Sequence, residues 1–345
     1  MLSAFNITQT GQSHLKIDVP CQDYSKTAVA ACGDRKIILA VAADGVGTCK
    51  FSQMASRTAV EECLEYIRDG LDETIMNHDE LIEGLIHDAY DAAIDLLYMK
   101  AEEMKESILQ FDTTLSCTIY DGNNLWFGHV GDDGIVVMYQ SGKYELITKR
   151  HKGDEYNSVV PLRYKDSWQF GKAKEPVASF VIMTDGLLDR CVDSAAMKNR
   201  VYFPFLSPVL SAAPETDEEI AALRSDWEKF LNGDGEYPIN IRECVTDDLT
   251  LVAGINSDAV KRIDTIIFDN EQWDRDSLRR KQELEEALYA EHKDIYQRSE
   301  MAFKVEANGE TQWYIKGITG TITLLENLAR VVKVRCLKLR GVLIK

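Results

Sequence analysis

The sequence predicts an α+β protein whose strands are sandwiched between helical layers, with an extension at its C-terminal end. Three observations predict it. Short apolar runs that stop at Asp-Gly or Asn-rich turns recur over the first 255 residues. Two helical patterns sit side by side between those runs. The resulting order, β, αα, βββ, β, α, β, lacks the regular alternation of βαβ units.

The first fifty residues read as strands. Tyr24 to Cys32 is mixed polar and apolar, and Lys36 to Ala43 is a continuous apolar run that ends at Asp44-Gly45, the pattern of a buried strand closing on a turn. Ser52 to Asp69 and Asp79 to Lys105 carry apolar residues at helical spacing. Thr113 to Tyr120 leads through Asp121-Gly-Asn-Asn124, a hairpin signal, into Leu125 to Val130. Gly131-Asp132-Asp133-Gly134 and Ser141-Gly142-Lys143 then frame two more strands, an antiparallel meander. Residues 150 to 175 read as a loop. Ala178 to Met183 is a strand ending at Thr184-Asp185-Gly186, Asp217 to Leu231 an amphipathic helix, and Leu249 to Ile255 a last strand entered through Asp247-Asp248.

This reading divides the chain into a catalytic-type domain, residues 1–257, and an extension, residues 258–345. Asp258 to Met301 is charged and free of Pro and Gly, with alternating charge that marks a solvated helical face. Residues 320 to 345 mix Arg and Lys with Val, Leu and Ile, as a basic amphipathic helix or a strand pair would. The stretch suits anionic lipid or an acidic protein partner or, more simply, docking on the acidic domain before it.

Composition narrows the function. A net charge of −18 repels phosphate backbones and speaks against nucleic-acid binding. No apolar run reaches the roughly 20 residues of a transmembrane helix, and the first residues lack a secretory pattern. Eight cysteines stand singly with no CxxC pair, which argues against a zinc ribbon or a disulfide framework. The expected compartment is the cytoplasm.

The informative pattern is aspartate at strand ends: Asp23, Asp44, Asp132, Asp185 and Asp247. Carboxylates converging on one rim repel one another unless cations sit between them. Two such ions about 4 Å apart suit in-line attack of a bridging water on phosphorus. Any one Asp-Gly pair is more often a plain turn.

The ordered set carries more than its members. Gly11-Gln-Ser-His14, Cys21-Gln-Asp23, Ala43-Asp-Gly-Val-Gly47, Thr113-Thr-Leu115, His129-Val-Gly-Asp132, Thr184-Asp-Gly-Leu187 with Asp189, and Asp247-Asp-Leu-Thr250 follow one another across residues 11 to 255. In this the chain resembles the type 2C, metal-dependent serine/threonine protein phosphatases, and among them the bacterial branch. The resemblance implies a four-layer α-β-β-α sandwich of two antiparallel sheets flanked by helices. It implies two, or with a weaker site three, Mg²⁺ or Mn²⁺ ions, phosphorylated protein substrates and a role in signal transduction.

It also implies roles. Asp44 and Asp23 stand at the catalytic centre, Asp44 bridging both ions and Asp23 reaching one through water. The Gly45 carbonyl, Asp185 and Asp247 complete the ligands, with Asp248 the adjacent alternative to Asp247. Asp132 and Asp189 match the weaker third position. The phosphate-binding arginine of the family is missing upstream of Asp23, leaving His14 or Lys16 as its replacement. Thr48 and Val46 also depart from the family pattern. These departures motivate an alternative, a catalytically weak pseudophosphatase that acts as a partner-binding module. The paucity of histidine argues against other two-metal hydrolases.

Overall fold

A computed structural model describes residues 1–150, 159–193, 198–235, 237, 240–291, 302–307 and 310–315. Residues 320–345, read above as a basic helix or strand pair, lie outside the described residues. The described chain forms two compact units, Met1–Phe268 and Asp269–Lys345.

The first unit runs β1 (Leu2–Gln9), α1 (Gln12–Lys16), β2 (Asp23–Cys32), β3 (Arg35–Asp44), α2 (Ser52–Gly70), α3 (Asp79–Met104), β4 (Leu115–Tyr120), β5 (Leu125–Val130), β6 (Gly134–Tyr139), β7 (Tyr144–Leu146), β8 (Gln169–Lys172), β9 (Val177–Met183), α4 (Asp185–Cys191), α5 (Phe203–Leu210), α6 (Asp217–Asn232), α7 (Ile241–Cys244), β10 (Leu249–Asn256) and α8 (Ser257–Val260). Its strands form two antiparallel five-stranded sheets, ordered β1-β10-β9-β6-β7 and β2-β3-β4-β5-β8.

The period of two explains the layers. Along β3, Ile38, Ala40 and Ala42 face the other sheet, where they meet Phe180, Ile182 and Val252. Ile37, Leu39, Val41 and Ala43 face outward and pack under α2 and α3. A strand buried on both faces needs an unbroken apolar run rather than alternation, which is what residues 37–43 are. The second sheet is covered in the same way: Val181, Met183, Leu251 and Ala253 pack against Leu188, Leu206, Trp227 and Leu231 of the helices. The result is the α-β-β-α sandwich. Residues 258–268, set in the extension on charge alone, add Val260, Ile263, Ile266 and Phe268 to that outer core.

Three readings change. The strands from β4 to β7 are not one meander: β4 and β5 belong to one sheet, β6 and β7 to the other. The chain crosses at Gly131, whose φ of +116° is open only to glycine, and a Cβ there would lie 2.5 Å from Thr114 Cγ2. Residues 150–175 are not all loop, since Gln169–Lys172 forms the edge strand β8 on β5. The segment after Gly11, read with the strands, holds the short helix α1.

In the second unit, α9 (Asn270–Glu291) carries Arg275–Glu271 and Arg280–Glu283 ion pairs at helical spacing, as its alternating charge predicts. β11 (Ala302–Ala307) and β12 (Glu310–Ile315) pair antiparallel. Among the described residues no helix is long and apolar enough to cross a membrane.

Gly128 on β5 is where α3 comes closest. A Cβ there would lie 2.7 Å from Ile86 Cγ2 and 2.9 Å from Tyr90 Cε2, and Tyr90 is further fixed by donating its hydroxyl to the Leu115 carbonyl at 2.9 Å. Gly128→Ala is therefore expected to lower stability by about 1–3 kcal/mol through overpacking. Urea unfolding measures it, and an unchanged midpoint would refute this account of the helix–sheet contact.

Candidate metal centre

The site begins with a register. β2 and β3 pair along their whole length, and the pairing sets Asp23, first residue of one strand, opposite Asp44, last residue of the other. Opposed residues of an antiparallel pair have Cα atoms about 4.5–5.5 Å apart, so two carboxyl-bearing residues share one rim by construction.

The other elements bring their ends to that rim. Thr113 and Thr114 lie just before β4. Thr113 Oγ1 and the Thr114 N–H both donate to the Asp44 carbonyl, at 2.9 and 2.8 Å. The Asp44 N–H donates to Thr114 Oγ1 at 2.8 Å, and that hydroxyl donates to Asp133 Oδ2 at 2.5 Å. Thr184, between β9 and α4, and Thr250, on β10, donate their hydroxyls to Asp23 Oδ2 at 2.7 and 2.8 Å. Asp185 opens α4 directly after Thr184.

Gly45 continues the rim. It bridges Thr113, but the hydrogen bonds of that bridge come from its neighbours, Thr114 N–H to Asp44 O and Val46 N–H to Asp112 O. The ladder thus does not use the Gly45 carbonyl. A Cβ at Gly45 would lie 2.4 Å from the Ser52 carbonyl, so the start of α2 can approach only glycine.

Asp247 and Asp248 have different surroundings. Asp248 is 3% exposed. Its Oδ1 accepts from the Gly11 N–H at 2.6 Å and lies 2.9 Å from His14 Nδ1, while its Oδ2 accepts from the Gln22 N–H at 2.7 Å. That carboxylate is committed to tying the N-terminal segment to β10. Asp247 is exposed, and its Oδ1 accepts from the Asp248 N–H at 2.9 Å.

Electrostatics mark the cluster. Burial pushes the Asp44 carboxyl well above the usual aspartate range, and the charges of Asp23, Asp185, Asp133 and Asp247 push it further. Asp23 is raised by burial and then by Asp248; the Thr184 and Thr250 hydroxyls oppose this. Asp133, fully buried, is raised by burial against the Thr114 hydrogen bond, with Asp132, Asp23 and Asp185 adding to it, and its Oδ1 is buried without a hydrogen-bond partner. Such crowding is what divalent cations relieve, and an all-oxygen donor set of carboxylates and one carbonyl is the set that Mg²⁺ and Mn²⁺ accept.

The structure thus gathers Asp23, Asp44, Gly45, Asp185 and Asp247 about one centre, with Asp133 beside them. Asp132 is almost fully buried one residue away. Asp189 is turned to Arg150, with Nη1 2.6 Å from its Oδ1. Lys16 is exposed at the end of α1. Arg163 pairs with Asp112 at 2.6 Å. His129 is fully buried in β5, 2.8 Å from Ser116 Oγ, a packed core histidine as its strand pattern suggests.

Sequence reading missed the hydroxyls of Thr114, Thr184 and Thr250, although each stands inside a quoted motif. It missed Asp133, whose only signal is the Asp132-Asp133 doublet, and Arg150, for which no signal exists.

Two features lie elsewhere. Among the described residues, three ligating groups come within 4.8 Å of one another only at His87, Asp88 and Asp91 on α3; His87 and Asp88 there are exposed, and Lys165 also pairs with Asp91. An open groove of about 580 Å³ between β1 and α6, lined by Phe5, Val29, Ile220 and Arg224, shares no residue with the rim.

Known proteins resemble this chain in sequence and fold. A bacterial relative, serine/threonine-protein phosphatase 3 of Escherichia coli (strain K12), is 24% identical over 256 residues, 71% of this chain and 94% of its own. The fold is shared with the crystal structure of a bacterial serine phosphatase at 16% identity and a TM-score of 0.51, covering 77% of this chain and all of that one. It is shared as well with the serine/threonine phosphatase Stp1 from Staphylococcus aureus at 16% identity and a TM-score of 0.50, covering 74% and 95%. The family model for protein phosphatase 2C matches residues 10–231, well over half of the sequence, and the chain belongs to that family of protein serine/threonine phosphatases.

Proposed function

We propose that this chain removes phosphate from phosphoserine and phosphothreonine in proteins, at a centre of two Mg²⁺ or Mn²⁺ ions on the rim described above. The observation that carries the reading is Asp44 placed opposite Asp23, with its carboxyl raised by burial and by four neighbouring carboxylates. Asp44, the Gly45 carbonyl, Asp185 and Asp247 would hold the ions, with Asp23 joining through water. Bound there, the ions would supply a nucleophilic water and neutralise the phosphoryl group in line with it.

The chain's own residues do the rest. Thr113 and Thr114 fix the backbone of Asp44, and Thr184 and Thr250 orient Asp23 toward the rim. Asp248, with both oxygens engaged, positions Asp247 rather than binding metal itself. His14 Nδ1 is committed to Asp248, which favours exposed Lys16 as the phosphate contact. Seven described cysteines are free, in keeping with a reducing compartment, the cytoplasm.

Three measurements test this. With millimolar Mn²⁺ the purified protein is expected to hydrolyse p-nitrophenyl phosphate, EDTA to abolish the activity, and Asp44→Asn to lower it at least about 100-fold, a metal ligand mattering no less than its supports. A folded but inactive parent would overturn the reading. Asp247→Asn should lose activity to a similar degree with its melting temperature kept. Asp248→Ala should instead lose about 2–4 kcal/mol of stability, because its removal strands buried donors; the opposite assignment would follow if the two phenotypes were exchanged.

The third test is pH dependence without metal. A carboxyl whose folded pKa is raised contributes stability that is present below the ordinary aspartate value and lost as pH climbs through the raised one. In EDTA, Asp44→Asn should therefore melt higher than the parent, by a margin that grows as pH rises above the ordinary aspartate range. Saturating Mn²⁺ should reverse the order. A margin independent of pH would sink the assignment.

A further inference from the structure

Asp132 and Asp189 match the family's third, weaker metal position, yet in this chain one side chain already contacts both residues, Asp132 through its backbone carbonyl and Asp189 through its carboxylate. Arg150 follows β7 by four residues and folds back under the crossing from β5 to β6. Its Nε donates to the Asp132 carbonyl at 2.7 Å, and its Nη1 lies 2.6 Å from Asp189 Oδ1. The Arg150 side chain is 6% exposed and the Asp189 side chain 39%, so the arginine is embedded and meets an aspartate at the surface. Arg150 Nη2 is buried without a hydrogen-bond partner, a cost that an incidental surface ion pair would avoid by turning to water.

We propose that Arg150 is the built-in cation of the third position: its guanidinium takes the place that a third divalent ion would occupy, and the centre holds two ions and no more. This rests on the two-ion reading above. The chemistry favours arginine over any other residue here. A guanidinium stays charged throughout the physiological range. Its planar fork reaches a carbonyl and a carboxylate at once from a single buried group. A permanent charge delivered by the fold does not depend on metal supply, whereas a weak ion site fills only when metal is abundant. Asp189, paired in this way, is withdrawn from metal ligation, and the Asp132 loop is anchored through its backbone.

The test counts ions. Parent, Asp189→Asn and Arg150→Met proteins are dialysed to equilibrium against Mn²⁺ up to millimolar concentration, and bound metal is read by elemental analysis, with circular dichroism confirming the fold. The expected counts are two for the parent, two for Asp189→Asn and three for Arg150→Met, whose vacated place opens beside Asp189 and the Asp132 carbonyl. Three ions in the parent, or an ion lost in Asp189→Asn, would overturn the proposal while leaving the two-ion reading in place. A folded Arg150→Met that stays at two would count against it too. Should Arg150→Met fail to fold, the parent and Asp189→Asn counts decide alone. No ion in the parent would bring down the two-ion reading, and the proposal with it.

Discussion

Like charges crowded on one rim are the constraint to which the rest of this sandwich answers. Asp23, Asp44, Asp133, Asp185, Asp247 and Asp248 all arrive where strands begin or end, and burial pushes the carboxyls of Asp23, Asp44 and Asp133 well above the usual aspartate range. The fold balances them with different partners. Backbone N–H groups and His14 satisfy Asp248. Threonine hydroxyls satisfy Asp23 and one oxygen of Asp133. An arginine answers Asp189. Asp44, Asp185 and Asp247 are the carboxylates proposed to hold metal. The partition is chemical: donors fixed by the protein tune and orient some carboxylates, and the others are left for the cations proposed here.

Much of the frame could be read from residues alone. β3 is legible because a strand covered on both faces has to be apolar throughout, and α2 and α3 because their apolar stripes keep helical spacing over several turns. The crossing at Gly131 was not legible. A turn between two strands reads the same whether the second strand pairs with the first or leaves for another sheet, and only the packing of Thr114 against Gly131 decides. β8 escaped notice because a short, half-buried edge strand has neither an apolar run nor strong alternation.

The site divides along the same line. The aspartates were legible as an ordered series, since each is bound to a strand end. Their geometry was not, because Asp247 and Asp248 are equivalent in sequence and differ only through the N–H groups of Gly11 and Gln22, more than 200 residues away. Arg150 was invisible for a related reason: a single arginine in a polar stretch has no pattern, and its meaning comes from the carboxylate that it meets in three dimensions.

The pairing of β1 with β10 has a consequence for how the protein comes into being. The first strand has no neighbour in its sheet until residues 249–256 have been made, since β10 is its hydrogen-bonding partner. The Asp248 clamp likewise joins the first twenty-odd residues to the last strand. During synthesis the outer sheet must therefore wait for its far end, with strand edges uncovered in the interval, and such long-range closure is slow. Asp23 and Asp44 can meet early in their own hairpin, but Asp247 and Asp248 reach the rim only as the sandwich closes.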